Sequence, residues 1–388
     1  MKTILFDLSV CQPIGSSKFH GGGVYGYIVF EAIANKYPNN IIAYYDGDKY
    51  LPSYIKDIVK GNSIKFKTTQ ECSLLQLYLN NKFDTLYSPL WSNKYLCLFK
   101  HNVPIILTQH GLRVLEMNQD YYEFIYANSI KDLIKSYIKR TPLFRLLKLK
   151  YLRDLKKIFL YDKINIVTVS EHSKYSILFY YPFVTKDRIK VFYSPNTSKK
   201  LPSTDKFPSI VETLGDKKYY LLVSADRWLK NAYRAILAFD KLFESNSIKG
   251  KVVVTGISEE SKIFSRINNK DRFIAKGYLE REDLELLYKH AYALVYPSLN
   301  EGFGYPPIEV MKYGVPIIAS SFASISEICG DAPLYVNPYS IDEIAMRVMQ
   351  LDNPKLYELK RELSTKRYDT IFRRQVLDLE KLVDFIVK

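Results

Sequence analysis

Short apolar runs alternate with amphipathic helical patterns along the whole chain. The runs are continuous, which is typical of strands that are buried on both faces of a sheet. Helical patterns lie between them, for example at 233–244 and 283–289. We therefore predict parallel sheets and an α/β fold. The predicted strands are 3–8, 41–45, 104–108, 164–169, 219–223, 252–255, 293–296 and 315–319.

The alternation is interrupted once, by a stretch rich in Pro, Gly, Ser, Thr and Lys near residues 197–218. Such a stretch is typical of a domain boundary. The tail after about residue 354 has a helical pattern and no predicted strand. We predict an N-terminal domain at 1–200, a linker at 201–218, a C-terminal domain at 219–370 and a C-terminal helix at 371–388. Whether this helix returns to the N-terminal domain stays open.

The composition of the 388 residues, with 47% hydrophobic and 25% charged, is that of a globular protein. The first residues, MKTILFDLSV, are too polar for a signal peptide and suit a first strand. No apolar run reaches about 18 residues, the length of a membrane-spanning helix. The four cysteines form no C-x-x-C pair, so neither a disulfide framework nor a zinc site is expected. We expect a cytoplasmic, reducing setting.

The net charge of +15 is concentrated in one region. Residues 131–163 contain eleven Lys and Arg and three Asp, a net of +8. Within 141–160, apolar side chains recur every three or four residues beside this charge. Two alternatives remain open: a helix packed on the core with a solvated basic face, or a helix docked on an anionic membrane at its inner face.

The string YPSLNEGFGYPPIEVMKYGVPIIAS at 296–320 carries the strongest chemical signal. Glycines at a helix entrance let backbone N–H groups approach a ligand closely. Glu301 precedes the loop, and Glu309, eight residues on, lies in the predicted helix. Such carboxylates can accept the two hydroxyls of a ribose or hexose. From these residues alone, a structural turn with a glutamate at the helix entrance is an equal alternative.

The complete string resembles the signature of glycosyltransferase family 4, which has the GT-B fold, and the resemblance continues through 326–345. One departure is Tyr313, where a small residue is commoner. The resemblance implies two Rossmann-like domains with parallel sheets that face a central cleft. It also implies retention of anomeric configuration, with Glu301 on the hexose, assisted by the amides of Phe303 and Gly304, and Glu309 on the ribose.

A second motif, VSADRWLKNAYRAILAFDKL at 223–242, places Arg227 and Lys230 at a helix start. Cations there oppose the helix dipole, so an anion should offset them. A diphosphate would do so, although an ordinary solvated basic pair is the alternative. The resemblance implies that these residues grip the donor diphosphate. The resemblance also implies metal-independent transfer, so we expect neither a metal nor a cofactor.

Further candidates lie in the first half of the chain. The glycine-rich loop FHGGG at 19–23 lacks the G-x-G-x-x-G pattern, and no acidic ribose ligand of the nicotinamide type follows it, which argues against an NAD enzyme. His110 follows a predicted strand and matches a family histidine that reaches the donor sugar. Ser170 and Glu171 resemble a family VSE segment but also suit a helix N-terminus. Asn196 resembles a family asparagine, although Thr197 follows it instead of Gly.

The resemblance therefore implies the following site. The catalytic candidates are Arg227, Lys230, Glu301 and His110. The donor-binding candidates are Gly22, Gly23, Ser224, Asn231, Gly302, Phe303, Gly304, Tyr305 and Glu309. The acceptor-side or minor candidates are His20, Ser170, Glu171 and Asn196.

We expect a retaining hexosyltransferase that uses a nucleotide-diphosphate sugar and a glycan or lipid-linked acceptor, in surface polysaccharide or lipopolysaccharide assembly. Mannosyl transfer is expected from family frequency alone. A nucleotide-sugar 2-epimerase of the same fold is the alternative enzyme, and it would convert the donor without an acceptor. A basic nucleic-acid-binding protein is the alternative of another class. No nucleic-acid motif is present, and the excess charge lies on one helical stretch, so no nucleic-acid partner is expected.

Overall fold

The computed structural model describes residues 1–13, 20–117, 120–127, 129–197 and 218–388. The predicted linker 201–218 lies outside these residues except for Lys218. The chain divides into two compact units. Unit 1 comprises Met1–Leu112, Lys150–Thr197 and Phe372–Lys388, and unit 2 comprises Arg113–Leu149 and Ser198–Ile371.

Unit 1 contains a sheet of seven parallel strands in the order β3-β2-β1-β4-β5-β6-β7. The central strand β1 is buried along its whole length, and Ile4 pairs with Ile41 on one side and with Thr85 on the other. The order reverses between β1 and β4, and ligands of open α/β sheets bind at such a point, beyond the carboxyl ends of the strands. The strands are β1 (Ile4–Asp7), β2 (Ile41–Tyr45), β3 (Lys65–Thr68), β4 (Thr85–Ser88), β5 (Ile105–Gln109), β6 (Ile164–Thr168) and β7 (Ile189–Val191).

Unit 2 contains a second parallel sheet of six strands in the order β10-β9-β8-β11-β12-β13. Its order reverses between β8 and β11, where Ala293 pairs with Tyr220. The strands are β8 (Tyr219–Leu222), β9 (Lys251–Thr255), β10 (Phe273–Lys276), β11 (Ala293–Tyr296), β12 (Ile317–Ser320) and β13 (Leu334–Val336). The two parallel sheets confirm the predicted α/β class.

Helices cover the two sheets. Ala235, Ile236 and Phe239 of α8, for example, are fully buried against the strands of unit 2. Numbered within the described residues, the helices are α1 (Gly21–Lys36), α2 (Ser53–Gly61), α3 (Leu74–Leu79), α4 (Arg113–Glu116), α5 (Ile130–Ile138), α6 (Leu143–Leu160), α7 (Glu171–Tyr180), α8 (Ala232–Glu244), α9 (Arg281–His290), α10 (Tyr305–Met311), α11 (Ile325–Cys329), α12 (Ile341–Gln350) and α13 (Pro354–Val387). Among these helices, none combines the length and the apolar composition needed to cross a bilayer.

The segment 113–149, which the sequence places in the N-terminal domain, groups with unit 2. A buried ion pair of 2.8 Å joins Asp120 of this segment to Arg234 of α8. The hydroxyl of Tyr126 accepts a hydrogen bond from the backbone N–H of Tyr233 at 2.9 Å. These contacts attach the segment to the end of α8 that lies nearest to the carboxyl end of β8.

The last residues of the chain group with unit 1. The backbone N–H of Lys2 donates to the carbonyl of Val387 at 3.2 Å. Near the end of β7, the carboxylate of Asp378 accepts from the backbone N–H of Tyr193 at 2.9 Å. The C-terminal part of α13 is thereby hydrogen-bonded to residues that flank the first and last strands of unit 1.

Candidate functional site

The loop after β8 carries the two predicted cations of unit 2. The backbone adopts left-handed conformations at Ser224 (φ 54°) and Asn231 (φ 58°), on either side of a 3-10 turn at Trp228–Lys230. These two reversals bring Lys230 back over the end of the sheet, where it is 6% exposed. Arg227 stays exposed at the start of the turn. The loop thus presents one buried and one solvent-facing cation.

Lys230 forms an ion pair with Glu301, which follows β11. The ammonium of Lys230 lies 2.6 Å from Oε1 of Glu301, and both side chains are almost fully buried. The same oxygen accepts hydrogen bonds from the Tyr296 hydroxyl at 2.8 Å and the Ser298 hydroxyl at 2.6 Å. Lys230 also donates to the Tyr296 hydroxyl. Two of the predicted catalytic residues therefore meet at the switch point between β8 and β11.

The pair is charged at neutral pH. Burial lowers the pKa of Lys230 to about 8, although the Glu301 carboxylate favours the charged ammonium. Burial alone would raise the pKa of Glu301, but the cations of Lys230 and Arg113 outweigh burial and lower it to about 2. Arg227 is close enough to disfavour the charge on Lys230. An anionic ligand would relieve this repulsion, so the cluster is suited to a diphosphate.

The loop between Glu301 and α10 is held in place by hydrogen bonds to its backbone carbonyls. The Ser324 hydroxyl donates to the carbonyls of Glu301 and Phe303 at 3.0 and 3.1 Å. Gly304 is the N-cap of α10 at φ 98°, a conformation that residues with a Cβ rarely adopt. The ring of Tyr305 meets that of Phe303 edge-on at 5.8 Å. Gly302 lies between Glu301 and Phe303, so the predicted loop residues form one fixed turn beside the ion pair.

Glu309 lies in a second buried cluster, and Arg281 of α9 is at its centre. The Arg281 guanidinium lies 2.8 Å from Glu309 and 2.5 Å from Glu285. Burial alone would lower the pKa of Arg281, but these two carboxylates outweigh burial and raise it. Tyr313, the departure from the family pattern, donates its hydroxyl to Glu285. The Tyr313 side chain thus holds Glu285 in place, and Glu285 and Glu309 both pair with Arg281.

Asn231 has a structural function in unit 2. Its side-chain amide donates to the carbonyls of Pro297 at 3.0 Å and Pro338 at 2.6 Å. Its carbonyl oxygen accepts from Arg234 at 2.8 Å. These contacts tie the loop after β8 to the loop after β11. Donor binding by Asn231 stays a prediction.

The predicted residues of unit 1 follow adjacent strands of its sheet. The Nε2 of His110, after β5, hydrogen-bonds the carbonyl of Pro89, after β4, at 3.0 Å. Since a carbonyl only accepts, Nε2 carries the proton. The imidazole meets the Tyr25 ring edge-on at 4.8 Å. These contacts fix the tautomer and orientation of His110 at the carboxyl edge of the sheet.

The remaining candidates of unit 1 cap helices or lie in loops. His20 caps α1 by accepting from the N–H of Gly23 at 3.0 Å. A Cβ on Gly23 would lie 2.4 Å from the carbonyl oxygen of Cys11, so close packing requires glycine at this position. The atoms nearest to a Cβ on Gly22 would be those of the Leu90 side chain. Ser170 caps α7 by accepting from Ser173, and Glu171 pairs with Lys174 at 4.0 Å. Asn196, half-buried, follows β7.

Two residues near the site were not expected from the sequence. Arg113 of α4 faces Oε2 of Glu301 at 3.7 Å, and Arg281 holds Glu309. Neither belongs to a recognisable motif, because their partners are 188 and 28 positions away along the chain. In the described part of the chain, no group of three or more His, Cys, Asp or Glu side chains is arranged to hold a metal ion.

The sequence of unit 2 matches a known protein family. Residues 203–368 match the model of the family described as glycosyl transferases group 1. The chain is 28% identical over 254 residues to the O-antigen chain mannosyltransferase RfbU of Salmonella typhimurium, covering 64% of this chain and 62% of RfbU. It is 30% identical over 197 residues to O-antigen chain mannosyltransferase B of Escherichia coli, covering 48% and 50%. The chain thus spans less than two thirds of these relatives.

Similarity to a solved structure extends over the whole chain. The crystal structure of Anabaena HepE in complex with UDP and glucose superposes with a TM-score of 0.66 at 14% identity, covering 100% of this chain and 99% of HepE. At this identity the likeness shows the fold alone.

Proposed function

We propose that the protein transfers a hexosyl group, with mannose as the first choice, from a nucleotide-diphosphate sugar to a glycan or lipid-linked acceptor in surface polysaccharide assembly. The match of residues 203–368 to the model of glycosyl transferases group 1 supports this proposal. The observation that supports this most is the buried pair of Lys230 and Glu301 at the switch point of unit 2. The mannosyl and polysaccharide parts rest on the similarity to the two O-antigen mannosyltransferases. The UDP and glucose bound by HepE favour a nucleotide-sugar donor.

The two cations of the β8 loop would act on the leaving group. Departure of a nucleoside diphosphate develops negative charge on the phosphate oxygens, and preorganised cations stabilise such charge most effectively where water is excluded. Lys230 supplies a buried point charge, and Arg227 supplies an exposed planar fork suited to phosphate. This stabilisation requires no metal ion, so we propose metal-independent transfer.

Retention follows from a substitution on one face of the sugar. The acceptor oxygen forms a bond to the anomeric carbon as the bond from that carbon to the phosphate oxygen breaks. The released phosphate oxygen takes the proton of the acceptor hydroxyl, so no strong protein base is needed. Glu301 would orient the hexose through its hydroxyls, and Glu309 would accept the hydroxyls of the ribose.

The test is turnover with a panel of GDP-, UDP- and ADP-linked hexoses and an oligosaccharide acceptor pool. We expect one donor to be consumed only when acceptor is present. The product should retain the configuration of the donor, and EDTA should not lower the rate.

Lys230→Ala should lower kcat/KM about 100-fold or more. The matched control is Lys241→Ala, because Lys241 forms an exposed pair with Asp342 away from the site. Conversion of the donor without acceptor would instead indicate an epimerase, and near-normal transfer by an Arg227→Ala, Lys230→Ala double variant would reject the site.

A further inference from the structure

Among the described residues, three side chains donate hydrogen bonds to one carboxylate oxygen of Glu301 and none donates to the other. Oε1 accepts from Lys230, Tyr296 and Ser298 at 2.6–2.8 Å. Oε2 faces the guanidinium of Arg113 at 3.7 Å, and no other described residue contacts this oxygen within hydrogen-bond distance. A distance of 3.7 Å is longer than a hydrogen bond. The two groups therefore attract each other without a hydrogen bond between them.

A hydroxyl group placed beside these two groups can bridge them. A hydroxyl has one donor and two acceptor lone pairs, so it can donate to the carboxylate and accept from the guanidinium at once. A phosphate oxygen without a proton cannot donate to Glu301 and would be repelled by its charge. The pairing of Arg113 with Oε2 therefore selects a hydroxyl over a phosphate.

Arg113 is accessible and is held in place. Its side chain is 39% exposed and lines a cavity of about 170 Å³ together with Trp228 and Leu229, which precede Lys230. The short helix α4 is anchored at its other end, where Glu116 accepts from the Asn300 side chain at 2.5 Å. The guanidinium is thus open to a ligand while its backbone is fixed beside the loop of Glu301.

We propose that Arg113 is a sugar-binding residue that shares one hydroxyl of the transferred hexose with Oε2 of Glu301. This inference rests on the proposed function, because it requires a hexose at Glu301. Arg113 then distinguishes the sugar from the rest of the donor: it contributes to binding of the nucleotide sugar and not to binding of the free nucleoside diphosphate.

The experiment is calorimetric titration of wild type and Arg113→Gln with the tightest-binding nucleotide hexose of the panel and with its free nucleoside diphosphate. A hydrogen bond to a charged group contributes enough that its loss should weaken nucleotide-sugar binding about 10-fold or more. Binding of the nucleoside diphosphate should change less than about twofold. Arg140→Gln is the matched control, because Arg140 lies in the same segment, donates to the carbonyl of Tyr121 and is exposed.

Monodeoxy donors separate direct contact from a structural effect. If Arg113 binds a hydroxyl, the deoxy donor lacking that hydroxyl binds wild type and Arg113→Gln equally, whereas a structural defect weakens every donor. If Arg113→Gln does not fold, Arg113→Lys keeps the charge and should retain most of the sugar-dependent affinity. Equal weakening of nucleotide sugar and nucleoside diphosphate, or no weakening of either, overturns the assignment. Failure of the wild type to bind any nucleotide sugar overturns the proposed function and this inference together.

Discussion

Lys230 and Glu301 carry opposite charges in a place that is almost dry, and each influences the protonation of the other. Burial disfavours the Lys230 ammonium, as do the nearby cations of Arg227 and Arg113. Glu301 keeps its charge because the cations of Lys230 and Arg113 outweigh the effect of burial on its pKa. The unliganded protein therefore holds a weakly acidic ammonium at the position where we propose that a diphosphate binds.

This arrangement predicts an alkaline limb in the pH profile. The pKa of Lys230 is about 8 in the free protein, so its charge is present below that pH and is lost as the pH rises through it. The pKa of Glu301 is about 2, so Glu301 stays charged throughout. We expect kcat/KM for the donor to fall above about pH 8, since this parameter reports the free enzyme.

The control is Lys230→Arg, because arginine stays charged to a much higher pH. Its kcat/KM, whatever its absolute value, should show no decline between pH 8 and pH 10. A wild-type profile that is flat across this range, or the same decline in both proteins, would assign the limb to another group.

At the scale of elements, the passage from β8 to α8 depends on one asparagine. Asn231 occupies a left-handed conformation between the 3-10 turn and α8, and its buried side chain makes three hydrogen bonds. Asparagine tolerates this conformation better than other residues with a Cβ. The element boundary and the attachment to the loop after β11 therefore depend on the same residue.

Asn231→Gly should lower the free energy of unfolding by about 2–3 kcal/mol, because three hydrogen bonds are lost at about 1 kcal/mol each. Asn231→Ala should cost about 1 kcal/mol more, because alanine is strained in the left-handed region. Urea denaturation of the three proteins measures both differences. Equal stabilities of the glycine and alanine variants would show that the left-handed backbone is not maintained.

At the scale of the whole molecule, the basic excess lies partly on α6. The apolar stripe of this helix divides in two: Leu155 and Ile158 are buried in the core, whereas Leu147 is 48% exposed. Neither of the two alternatives drawn from the sequence therefore describes the entire helix. In unit 1, exposed Phe179 and Phe183 add apolar surface, and the Lys156 ammonium lies 6.0 Å from the Phe183 ring.

Exposed aromatic rings beside lysines are suited to an anionic membrane surface, where each nearby Lys or Arg contributes about 1 kcal/mol. We predict that the protein sediments with vesicles containing anionic lipid at low salt and is released at high salt. Charge reversal of exposed Lys150, Arg153, Lys156 and Lys157 should abolish sedimentation. Lys148 is left unchanged because its ammonium donates to the carbonyls of Leu115 and Met117.

Charge reversal of exposed Lys355, Arg361 and Lys366 on α13 is the control and should leave vesicle binding largely intact. Wild-type protein that ignores anionic vesicles at low salt would contradict the membrane prediction. The acceptor would then need no lipid.

The sequence by itself determined the fold class and the residues with a local signature. Strands such as Ile41–Tyr45 and Ala293–Tyr296 were predicted at their observed bounds, because continuous apolar runs require burial on both faces. The β3 strand, KFKT, was missed because it is largely exposed and lacks an apolar run, and the three-residue strands β7 and β13 are too short for a pattern. Lys230, Glu301 and Glu309 could be predicted as site residues because each lies in a contiguous motif.

Only the tertiary structure decided which charged and polar side chains contact each other. Arg113 meets Glu301 because the segment 113–149 packs with the second unit, and no periodicity along the chain encodes that packing. Arg281 meets Glu309, and Tyr313 meets Glu285, because α9 and α10 lie side by side. Electrostatic interactions depend on distance in space and on burial, whereas a sequence pattern records only distance along the chain.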